Sequence, residues 1–151
     1  MFTGSFDPFT IGHHSIVKRL TAIFDKVVIG VGINESKQYS ATIGERVENI
    51  RQLYRNHDNI DVVAFDDCAV DLAKRTHADC IVKGVRNVKD FEYERNQADI
   101  NRLLGGVETM LIMAEPQLAS ISSSVVRELK AFGKPVDRLV PTPDNIDELF
   151  R

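Results

Sequence analysis

Apolar residues follow two alternating rhythms along this chain. Short, nearly unbroken apolar runs recur at 26–31 (with Val27-Val28-Ile29), at 60–65, at 80–85 and at 109–113. Runs of this kind suit parallel strands covered on both faces. Between them apolar residues return at helical spacing: Ile16, Val17, Leu20, Ile23 and Phe24; then Ile43, Val47, Ile50 and Leu53; then Ala69, Val70, Leu72 and Ala73. Polar punctuation marks the helix ends. Thr42 with Glu45 reads as a capping box, Asp66 and Asp67 as caps of the third helix, and Asp90 as the cap of a helix reaching about Leu104, which Gly105-Gly106 stops. Ser122 caps a helix that ends near Phe132 before Gly133 and Pro135, and Thr142-Pro143 opens one last short helix. Met1-Phe2-Thr3 supplies only a fragment of a first strand, so that strand reads as truncated.

Strand and helix alternate without linker, repeat or low-complexity segment, which predicts one α/β domain over residues 1–151, a doubly wound five-stranded parallel sheet with helices on both faces. Ligands of such sheets bind beyond the carboxyl ends of the strands. The loops expected there are Gly4 onward, Asn34 to Lys37, Asp66 to Ala69, Lys83 to Arg86 and Pro116 to Ser124. All five converge on one crevice.

Composition narrows the partners. A formal net charge of −3 with 27% charged residues gives no global attraction to nucleic acid or an anionic membrane. There is no apolar run near the roughly 18 residues of a membrane span and no signal-peptide pattern, so a cytoplasmic location is expected. Cys68 and Cys80 lack disulfide or metal spacing and read as reduced thiols.

Any phosphate binding must therefore be local, and the stretch Gly4-Ser5-Phe6-Asp7-Pro8-Phe9-Thr10-Ile11-Gly12-His13-His14 concentrates the means for it. It joins the first strand to a helix N-terminus, whose unpaired N–H groups and partial positive charge attract phosphate. His13 adds a donor, expected to be neutral because a helix N-terminus lowers histidine basicity. His14 points about 100° away and is expected to be structural or exposed. With Lys37, Lys83, Arg86 and the helix start at Ser122, the crevice reads as a polyanion site. No carboxylate cluster forms an all-protein metal cage, and the first turn lacks the G-x-G-x-x-G of a dinucleotide-binding domain.

G-S-F-D-P-F-T-I-G-H resembles the signature of the nucleotidyltransferase superfamily, its T/H-x-G-H element being Thr10-Ile11-Gly12-His13. Asn34-Glu35-Ser36-Lys37, Lys83-Gly84-Val85-Arg86 through Asp90-Phe91-Glu92-Tyr93-Glu94, and Ile121-Ser122-Ser123-Ser124 are similar in order and spacing to the bacterial phosphopantetheine adenylyltransferases. The resemblance implies a Rossmann-like fold and transfer of AMP from ATP to 4′-phosphopantetheine, with Mg2+ accompanying ATP and a hexameric assembly. It implies catalytic roles for His13, Lys37 and Arg86. Ser5, Phe6, His13, Gly84, Val85, Arg86 and Glu94 would contact the nucleotide, together with the closing loop of Leu118, Ala119, Ser120, Ile121, Ser122, Ser123 and Ser124. Ser5, Lys37, Ala69 and Lys83 would contact the acceptor. Serine stands at position 5 where the family more often has threonine, and lysine at 83 where arginine is usual. The rival readings are a nucleotidyltransferase with another phosphate acceptor and a nucleotide-binding sensor without catalysis.

Overall fold

The computed structural model describes residues 1–33 and 38–149. Along the chain run β1 (Phe2–Gly4), α1 (Ile11–Thr21), β2 (Val27–Gly32), α2 (Ile43–Leu53), β3 (Ile60–Phe65), α3 (Ala69–Arg75), β4 (Cys80–Val85), α4 (Val88–Gly105), β5 (Glu108–Met113), a 3-10 turn (Pro116–Leu118) and α5 (Ser123–Ala131). The strands form one sheet in the order β3-β2-β1-β4-β5, and every neighbouring pair is parallel. Short as it is, β1 lies at the centre, with Phe2 in register with Ile29 on one side and Val82 on the other.

Alternation along the strands divides the core between the two faces. Phe2, Ile29, Val31, Val62 and Val82 pack with Ile16, Val17 and Leu20 of α1 and with Val47, Ile50 and Leu53 of α2. Met1, Ile81, Val28 and Val63 belong to a second cluster with Leu72 and Ala73 of α3. A parallel strand buried on both faces has no polar side to show, which is why these segments read as apolar runs.

The ends of several elements depart from the sequence expectation, beginning with α1, which stops at Thr21, short of Ile23 and Phe24. Cys68, not Asp66 or Asp67, is the N-cap residue of α3, and it makes no side-chain cap bond. Asp67 is drawn instead into an ion pair with Arg75. Asn87, not Asp90, caps α4, accepting from the Asp90 N–H at 2.9 Å. Asp90 thus sits in the first turn, where a carboxylate also faces the positive end of the helix. After Thr142 the chain forms successive turns through residue 149 rather than an α-helix, with the Thr142 carbonyl accepting from the Asn145 and Ile146 N–H groups.

The Thr42–Glu45 capping box forms as expected, and Gly106 ends α4 at φ +65, its N–H donating to the Arg102 carbonyl. A Cβ at Gly106 would meet nothing within 4 Å, so the left-handed backbone alone sets the cost of a side chain there. Gly106→Ala is expected to lower stability by about 1 kcal/mol in urea unfolding, with no steric contribution.

Candidate active site

The crevice lies at the carboxyl ends of the strands, a cavity of about 400 Å³ bordered by the segments that follow β1 to β5. Its floor is the turn from β1 into α1. Gly4 carries no side chain where a Cβ would stand 2.9 Å from the Phe6 ring. Phe6 itself adopts φ +49, a conformation bulky residues avoid, and it is held there by ring contacts with Phe2 and Phe9, each at 5.3 Å. Asp7 is buried, and Ser40 satisfies both of its carboxylate oxygens through the backbone N–H at 2.7 Å and the hydroxyl at 2.6 Å.

Arg46, buried on α2, donates to the carbonyls of Ser5 and Gly32 and stacks over the Tyr39 ring at 4.1 Å. The guanidinium therefore joins the end of β2 to the start of the turn. In the sequence nothing distinguishes it from the other polar positions of an amphipathic helix.

His13 is the third helical residue after the N-cap Thr10, and the two form a reciprocal capping box. The Thr10 N–H donates to His13 Nδ1 at 2.9 Å. A backbone N–H can only donate, so Nδ1 is the bare acceptor and a neutral ring carries its proton on Nε2. Burial, and then the positive charge of Arg86, lower the His13 pKa to about 3. Neutrality was expected from the helix N-terminus; desolvation is the larger cause. The Phe6 ring meets the imidazole edge-on, with centroids 5.0 Å apart. His14 turns the other way: it is buried, its Nδ1 is 2.9 Å from the Tyr54 hydroxyl, and burial lowers its pKa to about 4.

Lys83 of β4 and Arg86, just past its end, stand opposite. Arg86 is bound by Asp90, with Nε to Oδ2 at 2.8 Å. Lys83 donates to the Thr3 carbonyl at 3.2 Å and hydroxyl at 3.3 Å and lies 3.7 Å from the Glu94 carboxylate. Both basic groups are thus pre-oriented by acids on α4.

Beyond β5, Ser122 caps α5 by accepting from the Val125 N–H. The Ser123 hydroxyl donates to the Pro8 carbonyl at 2.8 Å, and Arg127 donates to the Asp7 carbonyl and the Ser124 hydroxyl. These bonds hold the N-termini of α1 and α5 against the same turn. Two helix ends thereby direct their partial positive charges at one cavity.

The structure brings together Ser5, Phe6, His13, Ala69, Lys83, Gly84, Arg86, Glu94, Leu118, Ile121, Ser122, Ser123 and Ser124 around the crevice. Val85, Ala119 and Ser120 are not among its lining residues; Val85 is buried in the sheet. Lys37 lies outside the described residues. Asp90, Tyr93 and Arg127 border the cavity without having been singled out for it. The signal for Arg127 was available: it stands three residues after Ser124, which places both on one face of a helix.

Residues 1–129 match the cytidylyltransferase-like family. Among curated relatives, the phosphopantetheine adenylyltransferase of Bacteroides thetaiotaomicron is 47% identical over 141 residues, 93% of each chain. That of Phocaeicola vulgatus is 50% identical over 147 residues, 97% of each. The chain belongs to the phosphopantetheine adenylyltransferases. The relationship extends to the Symbiobacterium thermophilum member of that family, 43% identical over 91% of this chain and 86% of the relative. A phosphopantetheine adenylyltransferase is a nucleotidyltransferase enzyme, and the arrangement of donors about the crevice suits one.

Proposed function

We propose that the crevice transfers the adenylyl group of ATP to 4′-phosphopantetheine, forming dephospho-coenzyme A and pyrophosphate. The observation that carries this reading is the neutral His13, its Nδ1 held by a backbone N–H and its Nε2–H left to donate, beside Arg86 and two helix N-termini. An acceptor phosphate oxygen attacks the α-phosphorus of ATP, the new P–O bond forms as the bond to the β-phosphate oxygen breaks, and pyrophosphate leaves with that electron pair. A phosphate monoester has a second pKa of about 6 and is already largely dianionic near neutrality, so no strong base has to deprotonate it. Catalysis is then charge neutralisation and positioning. The Nε2–H of His13 stabilises charge gathering at the α-phosphate, and Arg86 binds the triphosphate. Ser122 to Ser124 close over the nucleotide, and Lys83 meets the acceptor phosphate. Lys37 is assigned to that phosphate by family resemblance alone.

Among the described residues no three His, Cys, Asp or Glu side chains gather as a metal site, and Asp90 and Glu94 are engaged by Arg86 and Lys83. This donor set does not suit a resident cation. Magnesium is proposed as the counter-ion that ATP brings, part of the substrate.

The test is mass spectrometry of products after incubation with magnesium, ATP and 4′-phosphopantetheine, beside nicotinamide mononucleotide and CTP controls. Dephospho-coenzyme A and pyrophosphate in the first reaction alone are expected. Measurable ATP binding without product overturns the reading in favour of a nucleotide sensor. Lys83→Arg provides a graded check. A guanidinium can grip a phosphate through two donors where an ammonium cannot, so KM for the acceptor is expected to fall about threefold to tenfold with kcat little changed.

A homo-oligomer, hexameric by family resemblance, is also proposed. The 18-residue helix α4 buries no residue fully, and it exposes Val88, Phe91, Tyr93, Ile100, Leu103 and Leu104. The adjoining edge strand β5 exposes Met110 and Met113. Monomers rarely leave so many large apolar side chains of one helix and its neighbouring strand wet. Leu103, 80% exposed, is the position to test: Leu103→Glu is expected to lower the mass seen by light scattering while circular dichroism is preserved. A cytoplasmic location is proposed with it; no described helix is long and apolar enough to cross a membrane.

A further inference from the structure

A second cavity, about 560 Å³, opens behind the Ser5–Phe9 turn. Its walls come from Pro8 and Phe9 of the turn, Ile50 and Leu53 of α2, and Val140 and Pro141 near the C-terminus. That volume falls within the range of small-molecule sites, and walls of this kind receive an apolar body. The charge on its lining is of one usable sign. Arg127 and Lys130 of α5 both border it, and Lys130 is exposed. Among the described residues Asp7 is the one acid on the lining, and both of its oxygens are taken by Ser40. An anionic group on an apolar ligand thus meets cations and no free carboxylate.

Among the described residues two line both cavities: Phe6 and Arg127. Phe6 is the residue held at φ +49, and Arg127 bonds the turn to Ser124 of α5. A ligand that shifts either side chain from behind alters the crevice in front, and a strained residue in the shared wall has a lower-energy backbone region to move toward.

We propose that this rear cavity is a second ligand site, for a small organic anion with an apolar body and a single carboxylate or phosphate group, and that its occupancy changes nucleotide affinity in the crevice through Phe6 and Arg127. Coupling of binding is reciprocal, so ATP must change the affinity for the anion by the same factor. The coupling half rests on the ATP site proposed above; the binding half does not.

The probe is 1-naphthoate, titrated against the full chain by ligand-observed NMR with and without saturating ATP. An affinity of about millimolar or tighter is expected from its size, with binding that persists in the presence of ATP. Asn49→Trp, from an exposed position of α2 that borders the cavity, fills the space and is expected to weaken binding at least about tenfold, with thermal unfolding confirming that the variant is folded. Lys130→Glu is expected to weaken it several-fold. Saturating naphthoate should shift the Kd for ATP about threefold or more in the parent chain and leave it unchanged in Asn49→Trp. Four results each overturn the proposal: no binding at about 10 mM, displacement of naphthoate by ATP in simple competition, undiminished binding to Asn49→Trp, or the same ATP affinity with and without naphthoate. Failure of ATP itself to bind counts against the adenylyl-transfer reading, and the naphthoate titration with Asn49→Trp still decides the rear site.

Discussion

His13→Ala is expected to lower kcat by about 10²–10³-fold, the usual loss when one preorganised donor to transition-state charge is removed, while the Kd for ATP changes little. The separation follows from geometry. Nδ1 is occupied by the Thr10 N–H and hydroxyl, at 2.9 and 3.1 Å, so the ring's free donor is Nε2–H, and charge accumulates on the transferring phosphoryl group as the reaction proceeds, not when ATP first binds. The same substitution removes half of a capping box, and stability should fall by about 1 kcal/mol. Thr10→Ala separates the two effects. It removes the N-cap hydroxyl at a similar cost but leaves the backbone N–H on Nδ1, so the tautomer is retained and kcat should stay within a few-fold of the parent. Equal loss of turnover in both variants would show that His13 acts through the cap alone. Because the His13 pKa is lowered to about 3, its titration should leave no inflection in kcat between about pH 5.5 and pH 8.5.

The architecture was legible because burial on both sheet faces writes itself into the sequence as apolar runs. β3 and β4 fall at the residues the runs indicate, Ile60–Phe65 and Cys80–Val85. Caps were less legible, since acidic residues before a helix have alternatives. Asp67 is taken by Arg75 at the far end of α3 and Asp90 by Arg86, which precedes α4, so each depends on a cation that the local cap pattern does not include. The convergence of motifs on the crevice could be read because topology places every βα loop at one end of the sheet. What could not be read were the residues acting at a distance along the chain. Arg46 reaches carbonyls 41 and 14 residues away, Ser123 reaches Pro8 across 115 residues, and neither side chain differs in type from its solvated neighbours. A sequence pattern records burial and local capping; it does not record which carbonyl an arginine meets after folding.

Acidification should destabilise the fold by about 4 kcal/mol between about pH 7.5 and pH 5, through the two histidines that the fold holds neutral. His13 and His14 have folded pKa values of about 3 and about 4, against an ordinary value of 6.5. Below that ordinary value the unfolded chain takes up protons that the native state refuses. The unfolded state thus binds more protons, and stability rises with pH across the window from about 4 to 6.5 and is fully present above it. Each histidine contributes about 1.4 kcal/mol per pH unit below 6.5, or about 2 kcal/mol at pH 5, provided it is still neutral there in the folded protein. Other groups contribute to the total over the same range, so the informative quantity is a difference between variants. His14→Gln offers the Tyr54 hydroxyl a neutral partner that does not titrate. Urea unfolding of parent and variant at the two pH values should show the parent losing about 2 kcal/mol more than the variant. An equal loss in both would mean that His14 is protonated within the fold at pH 5, and would assign its acid sensitivity elsewhere.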